Sequence, residues 1–149
     1  MASIAATFPN GTQTVFLLTA SEAVVTTNLD DSSADWAGMG MSGSWTGTGM
    51  SWSGSSDLSS YTVIVNSPAN GIVGNFTLKP NALAHYSCGP GDATGTSMVS
   101  SPKIGWSNAV PDADAEIDFE IQGSPLAFTG VGYHDHVAFL SPCGLLGIR

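Results

Sequence analysis

Apolar and polar residues alternate over short stretches of this chain, with a period of two rather than three or four. The pattern is plainest in "AEIDFEIQGSPLAFTGVGYHDHVAF" (115–139). Ile117, Phe119 and Ile121 alternate with Glu116, Asp118 and Glu120, which turns one face to a core and the other to water. Gln122-Gly123-Ser124-Pro125 reverses the chain, and Leu126 and Phe128 resume the inward register. "YTVIVNSPANGIVGNFTLKP" (61–80) predicts a second hairpin around Pro68-Ala69-Asn70-Gly71, because Asn-Gly readily takes positive φ.

Shorter runs extend the pattern. "TQTVFLLTA" (12–20) and "EAVVTTN" (22–28), broken at Ser21-Glu22, read as strands that could form one hairpin. "LDDSSAD" (29–35) is a turn-forming loop, and residues 81–106 are loop-rich, broken by Pro90 and Pro102. Between them lies "WAGMGMSGSWTGTGMSWSGSSDLSSY" (36–61), in which Gly, Ser and Met surround Trp36, Trp45 and Trp52. A flexible linker seldom carries three tryptophans, because exposing that much apolar area is costly. The segment is therefore expected to form strands whose Met41, Trp45, Met50 and Trp52 point into a cavity.

Composition agrees with an all-β chain. Of the 149 residues, 42% are hydrophobic and only 10% charged, against about 25% in an ordinary soluble domain. The length suits one domain over residues 1–149, with no internal repeat or convincing boundary. The expected architecture is an antiparallel β-sandwich or a calycin/lipocalin-like barrel. No run approaches the roughly 20 apolar residues of a membrane-spanning helix.

Charge narrows the partners. The net charge is −9, with Lys79, Lys103 and Arg149 the only permanent cations. A nucleic-acid binder needs a basic surface, which this chain cannot assemble. An apolar small molecule fits better. Cys88 and Cys143 are too few for a disulfide framework and match no zinc spacing. The sequons Asn10-Gly-Thr12 and Asn75-Phe-Thr77 point weakly to a secretory route for a longer precursor, whereas the chain as written opens without an export signal.

Two of the three histidines stand in "GYHDH" (132–136). On a strand, His134 and His136 share one face, and Tyr133 and Asp135 share the other. A His-x-His pair can chelate a divalent metal, with His85 as a third ligand, but nothing in the spacing places His85 nearby. Alternatively, a histidine here polarises a carbonyl or moves a proton. A third reading is structural, with these polar groups satisfying buried backbone beside a turn. Asp112, Asp114, Glu116 and Asp118 lack the EF-hand pattern. No G-x-S-x-G elbow or P-loop occurs.

Taken together, "SGSSDLSSYTVIV", "GIVGNFTL" and "IGWSNAVPDADAEIDFEIQGSPLAFTGVGYHDH" resemble the carotenoid hydratase-like family, which includes hydroxyneurosporene synthases and fungal Diels–Alderase-type cyclases. The resemblance runs from about Ala2 to His136. It implies a β-sandwich and a lipocalin-like barrel, with cofactor-free chemistry on apolar polyene or polyketide-derived substrates. Family members are about twice this length and normally open with a Glu-Trp-Trp-Tyr-Phe-Asp-like strand. The second domain is therefore expected to be missing here, and association with another copy or a complementary chain is expected to follow.

The resulting expectation is a pocket lined by Trp45, Met50, Trp52, Tyr133 and His134, with His136 as a further substrate contact. His134, Asp135 and Tyr133 would be the catalytic groups of a cofactor-free and metal-free Diels–Alderase-type cyclase. A hydratase protonating a carbon–carbon double bond is the second reading. A non-catalytic, lipocalin-like binding module is the third.

Overall fold

The structure is a computed structural model that describes residues 2–27, 41–90 and 97–139. The described residues divide into two compact units. The first holds residues 1–77 and 115–129, and the second holds residues 78–114 and 130–149.

In the first unit, β1 (Ala2–Thr7) and β2 (Gln13–Leu18) form a two-stranded antiparallel sheet. The hydrophobic pattern leaves Ala2–Thr7 unassigned, since its alanines and serine carry little signal. The remaining strands are β3 (Glu22–Thr27), β4 (Met41–Thr46), β5 (Met50–Gly54), β6 (Tyr61–Ser67) and β7 (Ile72–Pro80), whose last residues enter the second unit. They hydrogen-bond in that order, and β7 pairs in turn with a long later strand, β11. Residues 13–18 and 22–27 are strands as expected but not a hairpin: β2 pairs with β1, whereas β3 pairs with β4. Their connection at Ser21 changes sheets, where Ser21 N donates to Thr46 O at 3.0 Å.

Between the two sheets lies the core. Phe16 of β2, Val65 of β6 and Ile72 of β7 cluster with Phe119, Ile121 and Leu126, and Ile4, Ala6, Phe8, Met50, Phe76 and Ile117 pack around them. Burial of such side chains contributes roughly 1.5–3 kcal/mol each relative to exposure. The expected alternation holds, with Glu116, Asp118 and Glu120 exposed between core positions. Phe128 departs from expectation: Leu126 joins the cluster, but Phe128, two positions on, is 52% exposed, because the apolar cover ends at Leu126.

Turn chemistry fixes the registers. A single 3-10 turn at Pro68–Asn70 closes the β6–β7 hairpin, and Gly71 follows in the left-handed region at φ 72°. Gln122 (φ 52°) and Gly123 (φ 78°) form a two-residue turn of the kind that matches strand twist. Gln122 N donates to Gly71 O at 2.7 Å, which ties the two hairpin tips together. At Gly74, φ is 150° and an added Cβ would strike the carbonyl oxygen of Asp118, so the β7–β11 approach requires glycine.

The second unit contains β8 (His85–Tyr86), β9 (Gly89–Pro90) and β10 (Val99–Ser101), with the first part of β11 (Ile104–Ile121) and the last part of β12 (Ser124–Phe139). β8, β10 and β12 each pair with β11, and β9 pairs with β8. β11 starts eleven residues before the expected hairpin. Its first residues fall in the stretch that Pro90 and Pro102 make read as broken, and Pro111 is accommodated within the strand. Among the described strands the order runs from β3 to β9, and no pairing joins these two.

Candidate functional site

The tryptophan-rich segment is ordered as two strands over 41–54, as the cost of exposing indoles predicts. Trp36 lies outside the described residues. Trp45 of β4 stands directly opposite Met50 of β5, and Trp52 stands opposite Gly43 and Val63. Their hairpin is held by Thr48, a buried hydroxyl that donates to Trp45 O at 2.6 Å and accepts from Met50 N at 3.0 Å. The Trp52 indole lies over Gly43, where even a Cβ would collide with its ring.

Trp45, Met50 and Trp52 share one face of this sheet, the face that carries buried Val65. Met50 packs against the core there, and Trp45 and Trp52 are half-buried. A groove of about 320 Å³ is lined mainly by the opposite face, through Val24, Thr26, Ser42, Ser44, Ser51, Ser53 and Ile64, with Gly43 and Trp52 completing it. Small hydroxylated residues leave that room, but of the residues expected to point into a cavity only Trp52 lines this groove, and Trp45 and Met50 do not.

In the second unit the histidine motif occupies β12. Tyr133 and Asp135 share a face, as the alternation requires, and the Tyr133 hydroxyl donates to Asp135 Oδ2 at 3.2 Å. The same oxygen accepts the indole Nε1–H of Trp106 at 3.1 Å. On its other side Trp106 meets His85 edge-on, with ring centroids 5.6 Å apart and an interplanar angle of 68°. His85 comes from β8, where it pairs with Asn108 of β11. Four side chains from three strands thus converge: His85, Trp106, Tyr133 and Asp135. Trp106 is the member that sequence reasoning missed.

Asn108 supports this arrangement from beneath. It is 5% exposed, and its amide nitrogen lies 2.9 Å from His134 O and 3.2 Å from Val110 O, donating to both. A buried amide that meets these carbonyls fixes the backbone of β12 between Tyr133 and Asp135.

Electrostatics follow from the contacts. Tyr133 is pushed above the ordinary phenol value by loss of solvent, and further by the hydrogen bond to Asp135 and by its charge. The phenol therefore stays protonated near neutrality. His134 is held below the ordinary imidazole value, chiefly by desolvation, with Asp135 opposing and His136 reinforcing the shift. Its side chain lies on the strand face opposite Tyr133 and Asp135, so His134 and His136 do not join the Trp106–Asp135–Tyr133 cluster. Among the described residues no three His, Cys, Asp or Glu side chains are grouped so as to hold a metal ion.

A carboxylate whose one oxygen is fixed by two donors keeps lone pairs on the other for a substrate. It can accept a proton in a defined direction, and the protonated phenol beside it can give one. Fold and site together define an antiparallel β protein that holds one carboxylate between a phenol and an indole.

The chain belongs to the Diels-Alderase-like family, whose model matches residues 1–139. It is 33% identical over 132 residues to the quinolone epoxide rearrangement protein asqO of Emericella nidulans, a match covering 89% of this chain and 33% of asqO. It is 35% identical over 137 residues to the quinolone epoxide rearrangement protein penF of Penicillium thymicola, covering 89% of this chain and 35% of penF. The fold is similar to the crystal structure of CghA with Sch210972, with a TM-score of 0.68 and 21% identity over 91% of this chain and 36% of that one. The chain therefore spans about a third of these relatives, less than the half expected from the resemblance. These matches support the Diels–Alderase side of that resemblance and give no support to its carotenoid hydratase side.

Proposed function

We propose that this chain supplies the proton-transfer site of a cofactor-free cyclase or rearrangement catalyst acting on an apolar secondary metabolite. The observation that carries the reading is the convergence of Tyr133 and Trp106 on one oxygen of Asp135. The relatives' names narrow the chemistry to rearrangement of an epoxide such as a quinolone epoxide.

In such a step Asp135 accepts a proton from a C–H or O–H group next to the epoxide. The electron pair released makes the new bond, the C–O bond breaks, and its electrons stay on oxygen. Once protonated, Asp135 accepts more weakly, so the Tyr133 hydroxyl turns to the departing oxygen and gives up its proton. Asp135 then returns the proton to Tyr133. Atoms balance within one molecule, so the product is an isomer of the substrate. For a pericyclic closure the same hydroxyl would donate to a carbonyl and lower the barrier electrostatically. Trp106 acts through Asp135 by holding its orientation. Trp45, Met50 and Trp52 belong to the first unit, and no part in this step is proposed for them. His134 and His136 face away from the carboxylate, so no part in this step is proposed for them.

The test is incubation of purified chain with quinolone epoxides, followed by mass and product analysis. A product of unchanged mass, lost in Asp135→Asn, supports the reading. A product heavier by one water would favour the hydratase alternative, and tight binding without any product would favour a binding module.

A further inference from the structure

Among the described strands, sheet edges carry or adjoin a charge or a proline except at one hairpin. β3, at the end of its sheet, begins with exposed Glu22; Pro90 lies in β9; Lys103 follows β10; and Asp135 lies in β12. Such residues oppose edge-to-edge pairing. Neither strand of the β1–β2 sheet holds one: Pro9 sits in the turn between them, and residues 1–21 contain no Asp, Glu, Lys, Arg or His, in a chain whose net charge is −9. Among the described strands β2 pairs only with β1, so its second row of backbone N–H and C=O groups meets no other strand.

The faces of β2 differ. Phe16 and Leu18 are buried, while Val15 and Leu17 project outward at 63% and 66% exposure. Across β1 they stand opposite Ala5 and Ser3, which are too small to cover them. An exposed apolar pair beside an open, unguarded edge is the usual surface for strand addition.

Charge decides the occupant. Two copies of a strongly acidic chain repel one another wherever their carboxylates approach, and a self-complementary contact needs a surface without them. The β1–β2 hairpin is that surface. We propose that a second copy of this chain adds through β2, antiparallel about a two-fold axis. The joined sheet runs β1–β2 from one copy into β2–β1 from the other, with Val15 and Leu17 of both copies side by side. β2 is preferred over β1 because its outward residues are Val and Leu rather than Ser, Ala and Thr.

The experiment is light scattering coupled to size exclusion across the micromolar range, with wild type, the double variant Val15→Lys/Leu17→Lys, and Val131→Lys as a control. Val131 is 84% exposed on β12 and belongs to the other unit. Wild type and the control should be dimeric and the double variant monomeric, with circular dichroism verifying that the variant keeps its strands. Hydrogen exchange on wild type supplies a readout free of mutation: β2 amides should slow as concentration rises, and β1 amides should not. A wild-type monomer throughout, a double variant that stays dimeric, or β2 exchange independent of concentration would each overturn the proposal.

Discussion

The indole N–H of Trp106 donates to Asp135 Oδ2 at 3.1 Å, joining residues 29 positions apart in the chain. Trp106 thereby sets the direction in which the carboxylate presents its remaining lone pairs. Trp106→Phe keeps an aromatic edge near His85 but removes the only hydrogen-bond donor of the indole. The expected result is a fall in kcat of about 10- to 100-fold with little change in KM, since misdirected reacting groups slow chemistry more than binding. Steady-state kinetics of the purified variant check this.

His134 provides a pH signature of the fold. Its imidazole is held below the ordinary value by desolvation, so the unfolded chain takes up the proton first as pH falls. The associated stability is fully present above about pH 6.5, the unperturbed histidine value, and is lost as pH drops through it toward the folded-state value. Denaturant midpoints measured on either side of that value should fall on acidification. His134→Gln should flatten the part of this dependence that belongs to His134.

Gly43 is a steric gauge for Trp52. Because an added Cβ would meet the indole Nε1 and Cε2 atoms, Gly43→Ala has to push the ring aside. A loss of about 1–3 kcal/mol in stability is expected, the usual cost of overpacking. A changed tryptophan emission spectrum should accompany it. An unchanged spectrum and midpoint would mean that the ring is not seated over Gly43.

Much of this fold was legible because alternation and turn chemistry act locally. The hairpins around Asn70-Gly71 and Gln122-Gly123 follow from residues that tolerate positive φ, and the facing of Tyr133 with Asp135 follows from strand geometry alone. What escaped depends on contacts between distant segments. β1 carries small residues whose strand character comes from pairing with β2. The early part of β11 is disguised by prolines, so Trp106 reads as a loop residue and its meeting with Asp135 cannot be inferred from spacing. Separating β2 from β3 likewise required knowing that the chain changes sheets at Ser21.

The most direct measurement is the rate of quinolone epoxide rearrangement by Asp135→Asn against wild type. Asn keeps the size of the side chain and can still accept from Trp106, but it cannot take up a proton. The account predicts a fall of about 10²- to 10⁴-fold, the usual contribution of a positioned acid or base, with an unchanged fold by circular dichroism. An unaltered rate in a folded Asp135→Asn variant would contradict the assignment of proton transfer to this carboxylate.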